Sequence, residues 1–284
     1  MAQLPATVDS TAHGADAFDP SDYLEGISAV FAGMANVIMQ LGHPAVGYGV
    51  YESKVDSGNA MKRPFKRART TGTFLAVALL GDQRDQRDMR KAIDSVHRHV
   101  RSGPQSPVRY NAFSPDLQLW VGACLAKGTF DIIEALHGLP DEETMELLLQ
   151  HFGAFATSLQ VRPEQWPSSM AAFDAYWQEG LRRIEIDDTI REHLLILLNL
   201  GNMPAPLAVP LRGIVRWINT GFLPDSFRRQ MRLGWTARDE RRFRRLMRAY
   251  GAFSRRLPKV LRLFPLNLYL WDLRRRVRTG KPIV

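Results

Sequence analysis

The sequence predicts an all-α protein built as one large helical domain. Apolar residues recur at the helical period in most segments, no window shows the two-residue alternation of a half-buried strand, and serine, aspartate and proline stand where helices begin. A chain of 284 residues with 45% hydrophobic residues can bury a sizeable core without disulfides. Its single cysteine, Cys124, lies among apolar neighbours and is predicted to be a buried thiol.

The first predicted helix covers 25–41, where seven apolar residues share one face, and Gly42 and Pro44 end it. Residues 44–63 and 101–112 are predicted as long connections, which in compact helical domains are often functional. The other predicted helices cover 65–80, 85–100, a segment that starts at Ser114 and Pro115, 141–157, 167–182, 187–200, 205–219, 236–256 and 259–278.

Three regions are predicted along the chain. Residues 1–18 are small and polar and form a flexible arm without the basic and apolar regions of a secretory signal. Residues 19–223 form the helical core, and 224–284 form a basic amphipathic helical segment beside it. No run of about 18 uncharged apolar residues occurs. We therefore expect a cytoplasmic protein, with peripheral contact to the inner face of the membrane left open.

The net charge of +9 is concentrated at the C-terminus, where 228–284 holds 18 basic and 3 acidic residues. A basic surface attracts nucleic acid, anionic lipid or an acidic partner. No nucleic-acid recognition motif is present in the sequence, so we expect no specific nucleic-acid partner. Around 255–271, basic residues are mixed with leucine, phenylalanine and tryptophan, as in interfacial segments. An anionic membrane is thus the favoured partner, with a solvated basic face as the alternative.

Several familiar sites are absent from the sequence. It has no P-loop, no Rossmann glycine motif, no Gly-x-Ser-x-Gly and no His-Glu-x-x-His. Paired Glu-x-x-His motifs of a di-iron bundle are also missing, since Glu134 and His137 show that spacing only once.

Two groups of residues remain as candidates for chemistry. Arg67 and Thr71 are four residues apart and share a helix face, where a guanidinium beside a hydroxyl suits a carboxylate, a propionate or bound oxygen. The alternative is an ordinary surface arginine and threonine. His97 and His99 flank the apolar stripe of their helix, and periodicity leaves open which of them faces inward.

Four motifs carry a resemblance to a known family: LGHPAVGYGVYES, PFKRARTTGTFLAVALLGD, SVHRHVRSG and RYNAFSPDLQLWV. In this order and rough spacing they resemble the rubber oxygenase and MpaB-like family. The similarity continues through LRGIVRWINTGFLP and RLGWTARDERRFRRLMRAYG, and so covers nearly all of the chain after the arm.

The resemblance implies a globin-like helical core that holds haem b. The family's His-x-x-Val-Arg pattern matches His97 as the iron ligand and Arg101 as a basic residue near the haem. Arg67 and Thr71 match a pair that lines the haem cavity, and Glu52 lies near the position of a carboxylate that acts as a base. The implied function is a haem b-dependent oxygenase that uses dioxygen on a lipophilic, unsaturated small molecule. The alternative is a peripheral membrane-associated binding protein without catalysis.

Some positions depart from the family pattern. Thr70 stands where members carry a distal lysine, Asp94 where they have arginine, and Gly122 where they often have histidine. These departures argue against polyisoprene cleavage. His43, in the His-Pro turn, is expected to have a structural role.

Overall fold

The computed structural model describes residues 18–55 and 59–284, so the predicted arm lies, apart from Phe18, outside the described residues. Within these ranges the chain is helical and contains no strand, which confirms an all-α single domain. The helices are α1 (Gly26–Phe31), α2 (Gly33–Leu41), α3 (Pro44–Tyr51), α4 (Pro64–Leu80), α5 (Gln83–His97), α6 (Pro115–His137), α7 (Glu142–Phe152), α8 (Ala154–Thr157), α9 (Met170–Leu181), α10 (Asp188–Leu198), α11 (Ala205–Phe222), α12 (Asp225–Gln230), α13 (Ala237–Ser254), α14 (Lys259–Arg262) and α15 (Leu266–Arg278). Short 3-10 turns occupy Pro20–Tyr23 and Pro163–Gln165.

Some predicted boundaries were wrong. The helix expected over 25–41 is divided into α1 and α2 at Ala32, next to Gly33, a residue with low helix propensity. The long connection expected over 44–63 begins with α3, because Pro44 occupies the first helical position as well as ending the helix before it. The helix expected over 259–278 is divided into α14 and α15, and Pro265 is the N-cap residue of α15.

The core surrounds α6, which is buried along most of its length and contacts α2, α8 and α13. One set of buried apolar side chains joins α6 to α4, α5, α7, α8, α9 and α15, and a second set joins it to α2, α10, α11 and α13. Cys124 is fully buried at this centre, and burial raises the pKa of its thiol. The prediction of a core thiol is confirmed.

Helices α4 and α5 form a tight antiparallel pair. Gly81 follows α4, and Asp82 caps α5, since its carboxylate accepts a hydrogen bond from the amide of Asp85 at 2.9 Å. Arg67 and His97 stand about fifteen residues before and after this turn, so the pairing brings them to the same end. Helix α15 packs along α4.

Candidate functional site

The surroundings of Arg67, at the end of the α4–α5 pair opposite the connecting turn, indicate an open recess. More than a third of its surface is accessible to solvent, yet burial lowers the pKa of its guanidinium. A side chain that is surrounded by protein atoms but faces an opening shows both the solvent exposure and the lowered pKa. Thr71 lies one turn further along α4 and is half-buried. The recess therefore presents a fixed positive charge and, one helical turn away, a hydroxyl.

His97 is the inward-facing histidine of the two candidates. It is the last residue of α5 and half-buried, whereas His99 is exposed. Burial and, to a smaller extent, the positive charge of Arg67 lower the pKa of its imidazole to about 4, although the carboxylate of Asp94 acts in the opposite direction. His97 is thus neutral at physiological pH. Its Nδ1 is buried, and no hydrogen-bond partner for that atom exists among the described residues.

Glu52 is held by a residue that the sequence reasoning missed. The phenol of Tyr110 donates a hydrogen bond of 2.7 Å to the Glu52 carboxylate. Burial and this hydrogen bond raise the pKa of Tyr110 to about 12, so the phenol stays protonated and remains a donor. A Cβ at Gly49 would lie 3.3 Å from the tyrosine ring, so the glycine allows the ring to approach α3 closely.

The Tyr110 segment is also tied to the chain that follows His97. The amide of Ser102 donates to the Tyr110 carbonyl at 2.9 Å, and Arg101 and Asn111 form an isolated antiparallel bridge. The ring of Phe113 lies edge-on to the His97 imidazole, with 6.4 Å between centroids. Glu52 is therefore connected through one short loop to the His97 end of α5. In the sequence, the one signal that could have indicated Tyr110 is its place in the RYNAFSPDLQLWV motif.

Arg101 was predicted to lie near the cofactor. Its side chain is exposed, and it makes no side-chain hydrogen bond or ion pair with the described residues. Its backbone bridge to Asn111 fixes the loop after α5. The proposed contact of its guanidinium with a cofactor stays a prediction.

His43 lines a small cavity of about 30 Å³, and the lining of this cavity does not include Arg67, Thr71 or His97. Burial, followed by the nearby charge of Arg183, lowers the pKa of the imidazole, and its Nδ1 is buried without a partner among the described residues. This volume holds about one water molecule. It is too small for an organic substrate, and the expected structural role of His43 stays a prediction.

Gly122, Asp94 and Thr70 depart from the family pattern, and the structure shows the surroundings of each. A Cβ at Gly122 would lie 2.7 Å from the Ala156 Cβ, so α6 and α8 leave no room for a histidine at this position. Asp94 accepts a hydrogen bond of 2.8 Å from the Gln160 side chain. The Thr70 hydroxyl is buried and without a hydrogen-bond partner in the described part of the chain.

The donor set fits a haem. In the described ranges no group of three or more His, Cys, Asp or Glu side chains could hold a metal ion. A haem iron needs only one protein ligand, and a neutral imidazole such as His97 can supply it. The cationic recess around Arg67 suits a propionate carboxylate.

Comparison with known proteins agrees with the motif-based resemblance. Residues 22–252 match the family described as "ER-bound oxygenase mpaB/B'/Rubber oxygenase, catalytic domain". Two uncharacterized proteins, one of Mycobacterium tuberculosis (strain H37Rv) and one of Mycobacterium bovis, are each 46% identical over 250 residues, covering 88% of this chain and 98% of the relative. No solved structure matches this chain. The predicted family is thus confirmed: the chain belongs to the mpaB/B' and rubber oxygenase catalytic-domain family.

Proposed function

We propose that this chain is a haem b-dependent oxygenase that uses dioxygen to oxidise a lipophilic, unsaturated small molecule. Membership of an oxygenase catalytic-domain family supports the general activity. The observation that carries haem dependence is His97, a half-buried imidazole that is neutral at physiological pH and lies beside a cationic recess. A neutral imidazole is the form that ligates iron.

Each site residue has a role that its position supports. His97 would hold the iron, with Nε2 as the ligating nitrogen because Nδ1 is buried. Arg67, and Arg101 at the exposed edge, would pair with the propionates, and the Thr71 hydroxyl would be available to donate a hydrogen bond to dioxygen. When bound, haem supplies the iron that binds and activates dioxygen.

Glu52 is the proposed proton acceptor. The hydrogen bond from Tyr110 orients its carboxylate and leaves the second oxygen available to accept a proton from substrate. Because the phenol keeps its own proton up to a pH of about 12, it remains a hydrogen-bond donor to the carboxylate at physiological pH. The Glu52 carboxylate is thus fixed in direction, as a general base requires.

Apolar surface beside the recess supports a lipophilic substrate. The side-chain amide of Asn202 donates a hydrogen bond of 2.9 Å to the Ala60 carbonyl, which ties the chain before α11 to the chain before α4. Phe65, at the start of α4, is 60% exposed. On α11, Leu207 and Leu211 are each 47% exposed. Apolar side chains on both of these helix starts offer a lipophilic molecule a route toward Arg67.

The test is the absorption spectrum of purified protein reconstituted with hemin. We expect a Soret band with one haem per chain, which His97→Ala abolishes or shifts. His99→Ala is the matched control, because His99 is two residues away and exposed. Wild-type protein without a Soret band, or an identical spectrum in His97→Ala, would contradict the proposal.

A second candidate function is a peripheral membrane-associated binding protein without catalysis, placed at the cytoplasmic face of the membrane. The exposed arginines of α13 and α15 favour it. None of the described helices has the length and apolarity needed to cross a bilayer. Membrane contact is compatible with the oxygenase, since a lipophilic substrate partitions into lipid. The hemin test separates the two functions. It is carried out without membranes, and only the oxygenase needs to bind haem.

A further inference from the structure

Helix α15 carries apolar side chains on two opposite faces. Its inward face, Leu266, Leu270 and Leu273, is buried against the core. Its other face carries Leu268 and Trp271, which are 46% and 54% exposed, and Phe264, just before the helix, is 47% exposed. A helix at the surface of a globular protein normally presents a polar outer face. The outer face of α15 therefore differs from that of an ordinary surface helix.

The apolar surface extends onto α14, the short helix immediately before α15. Val260 is 68% exposed and Leu261 is 52% exposed. We use the term outer strip for the five exposed apolar residues of α14, of α15 and of the residues that join them: Val260, Leu261, Phe264, Leu268 and Trp271. Large aromatic and branched side chains predominate in it, as they do on the apolar faces of interfacial helices.

Basic residues stand at both ends of the outer strip. Arg255 and Arg256 precede it, Arg278 and Lys281 follow it, and all four are exposed. None of them forms an ion pair with the described residues. The guanidinium of Arg275 lies 5.4 Å from the centre of the Trp271 ring, so a cation also lies directly against the apolar surface.

Two residues predicted to belong to this basic surface are neutralised within the chain. Lys259 forms ion pairs with Asp19 at 2.6 Å and Asp22 at 2.7 Å. Arg262 forms an ion pair with the Asp22 carboxylate at 3.8 Å and donates a hydrogen bond to the Asp22 carbonyl at 2.9 Å. These contacts fix α14 against residues 19–22 and hold the strip in place. The free charge therefore lies at the ends of the strip.

We propose that the outer strip docks on the surface of an anionic phospholipid bilayer, with its apolar side chains inserted among the acyl chains and its terminal basic residues against the headgroups. The inference rests on the proposed membrane contact but is independent of haem, and it names the surface that makes this contact. Charge selects the partner: two copies of the strip facing each other would bring like charges together, whereas anionic lipids neutralise them.

The experiment is flotation of the full-length protein with vesicles of phosphatidylcholine alone or mixed with phosphatidylglycerol. We expect binding to the mixed vesicles that weakens with added salt and is several-fold lower on neutral vesicles. Replacing Phe264, Leu268 and Trp271 together by serine should abolish binding. Arg255→Glu with Arg278→Glu should reduce binding to the level seen on neutral vesicles.

A matched pair of leucines provides the control. Leu268 is 46% exposed and Leu147, on α7, is 42% exposed, so Leu268→Ser and Leu147→Ser remove similar apolar areas from different surfaces. Only Leu268→Ser should weaken flotation, and far-UV circular dichroism should show both variants folded. Wild-type protein that does not float, or a triple variant that floats normally, overturns the proposal. A dimer that the triple variant dissociates, without vesicle binding, identifies a second copy as the partner and also overturns it.

Discussion

Arg67 on α4 and His97 at the end of α5 are coupled electrostatically: the charge of the guanidinium lowers the pKa of the imidazole. The antiparallel pairing of the two helices creates this relationship, since the residues are thirty positions apart in the sequence. Together with burial, which is the larger cause, the coupling favours the neutral form of His97, in which an imidazole nitrogen can act as a metal ligand.

Arg67→Gln is therefore expected to raise the pKa of His97. The increase is partial, because burial is the larger cause, and the new value should lie between about 4 and the ordinary 6.5. An NMR titration of the His97 ring protons in protein without haem measures it. Arg87→Gln on the exposed face of α5 is the control and should leave the titration unchanged. An unaltered pKa in Arg67→Gln would show that the two groups are not coupled.

The depressed pKa of His97 also makes stability depend on pH. Between pH 6.5 and about 4 the unfolded chain binds a proton at this site that the folded chain does not. The free energy of unfolding should therefore fall as the pH decreases through this range. For this one group the loss is at most about 2 kcal/mol between about pH 7 and about pH 5. Urea unfolding at the two pH values measures it.

His97→Phe removes this titrating group and should flatten the pH dependence by the same amount. His99→Phe should not, since His99 is exposed. If the free energy of unfolding depended equally on pH in the wild type and in His97→Phe, other groups would account for the acid sensitivity.

Tyr110→Phe removes the hydrogen bond to Glu52 and leaves the ring in place. Because the acceptor is a carboxylate, we expect the free energy of unfolding to fall by about 1.5 to 3 kcal/mol. Tyr51→Phe is the control, since Tyr51 is 47% exposed and its hydroxyl makes no hydrogen bond with the described residues. Equal stability of the two variants in urea would indicate that the Tyr110 hydrogen bond contributes nothing.

Replacing glycine by alanine should have opposite effects on stability at two helical positions, Gly122 and Gly213. At Gly122 a Cβ would meet the Ala156 Cβ at 2.7 Å, so Gly122→Ala should destabilise the protein by about 1 to 3 kcal/mol through overpacking. At Gly213, on the exposed part of α11, no atom lies within 4 Å of a Cβ, and Gly213→Ala should stabilise by about 0.5 to 1 kcal/mol. Thermal melting of both variants measures the difference. If Gly122→Ala stabilised the protein, α8 would have to shift away from the added methyl group at little cost.

The amino-acid sequence by itself determined the fold class, the family and the positions of most helices. Helical periodicity and helix-start residues depend on local physics, so they can be recognised without knowing what packs against what. Where several start or stop signals lie close together, as around Pro44 and Pro265, the local rules could not divide the chain correctly. The same proline can end one helix and begin another.

Only the tertiary structure decided which polar residues face inward and which partner each one meets. His97 and His99 are equivalent in periodicity, and it is packing against α4 and the Phe113 loop that buries the first and leaves the second exposed. Tyr110 reaches Glu52 across 58 positions of sequence, a contact that no local pattern encodes. Burial and long-range contacts depend on the whole arrangement of helices, and they turn a list of candidate residues into a site.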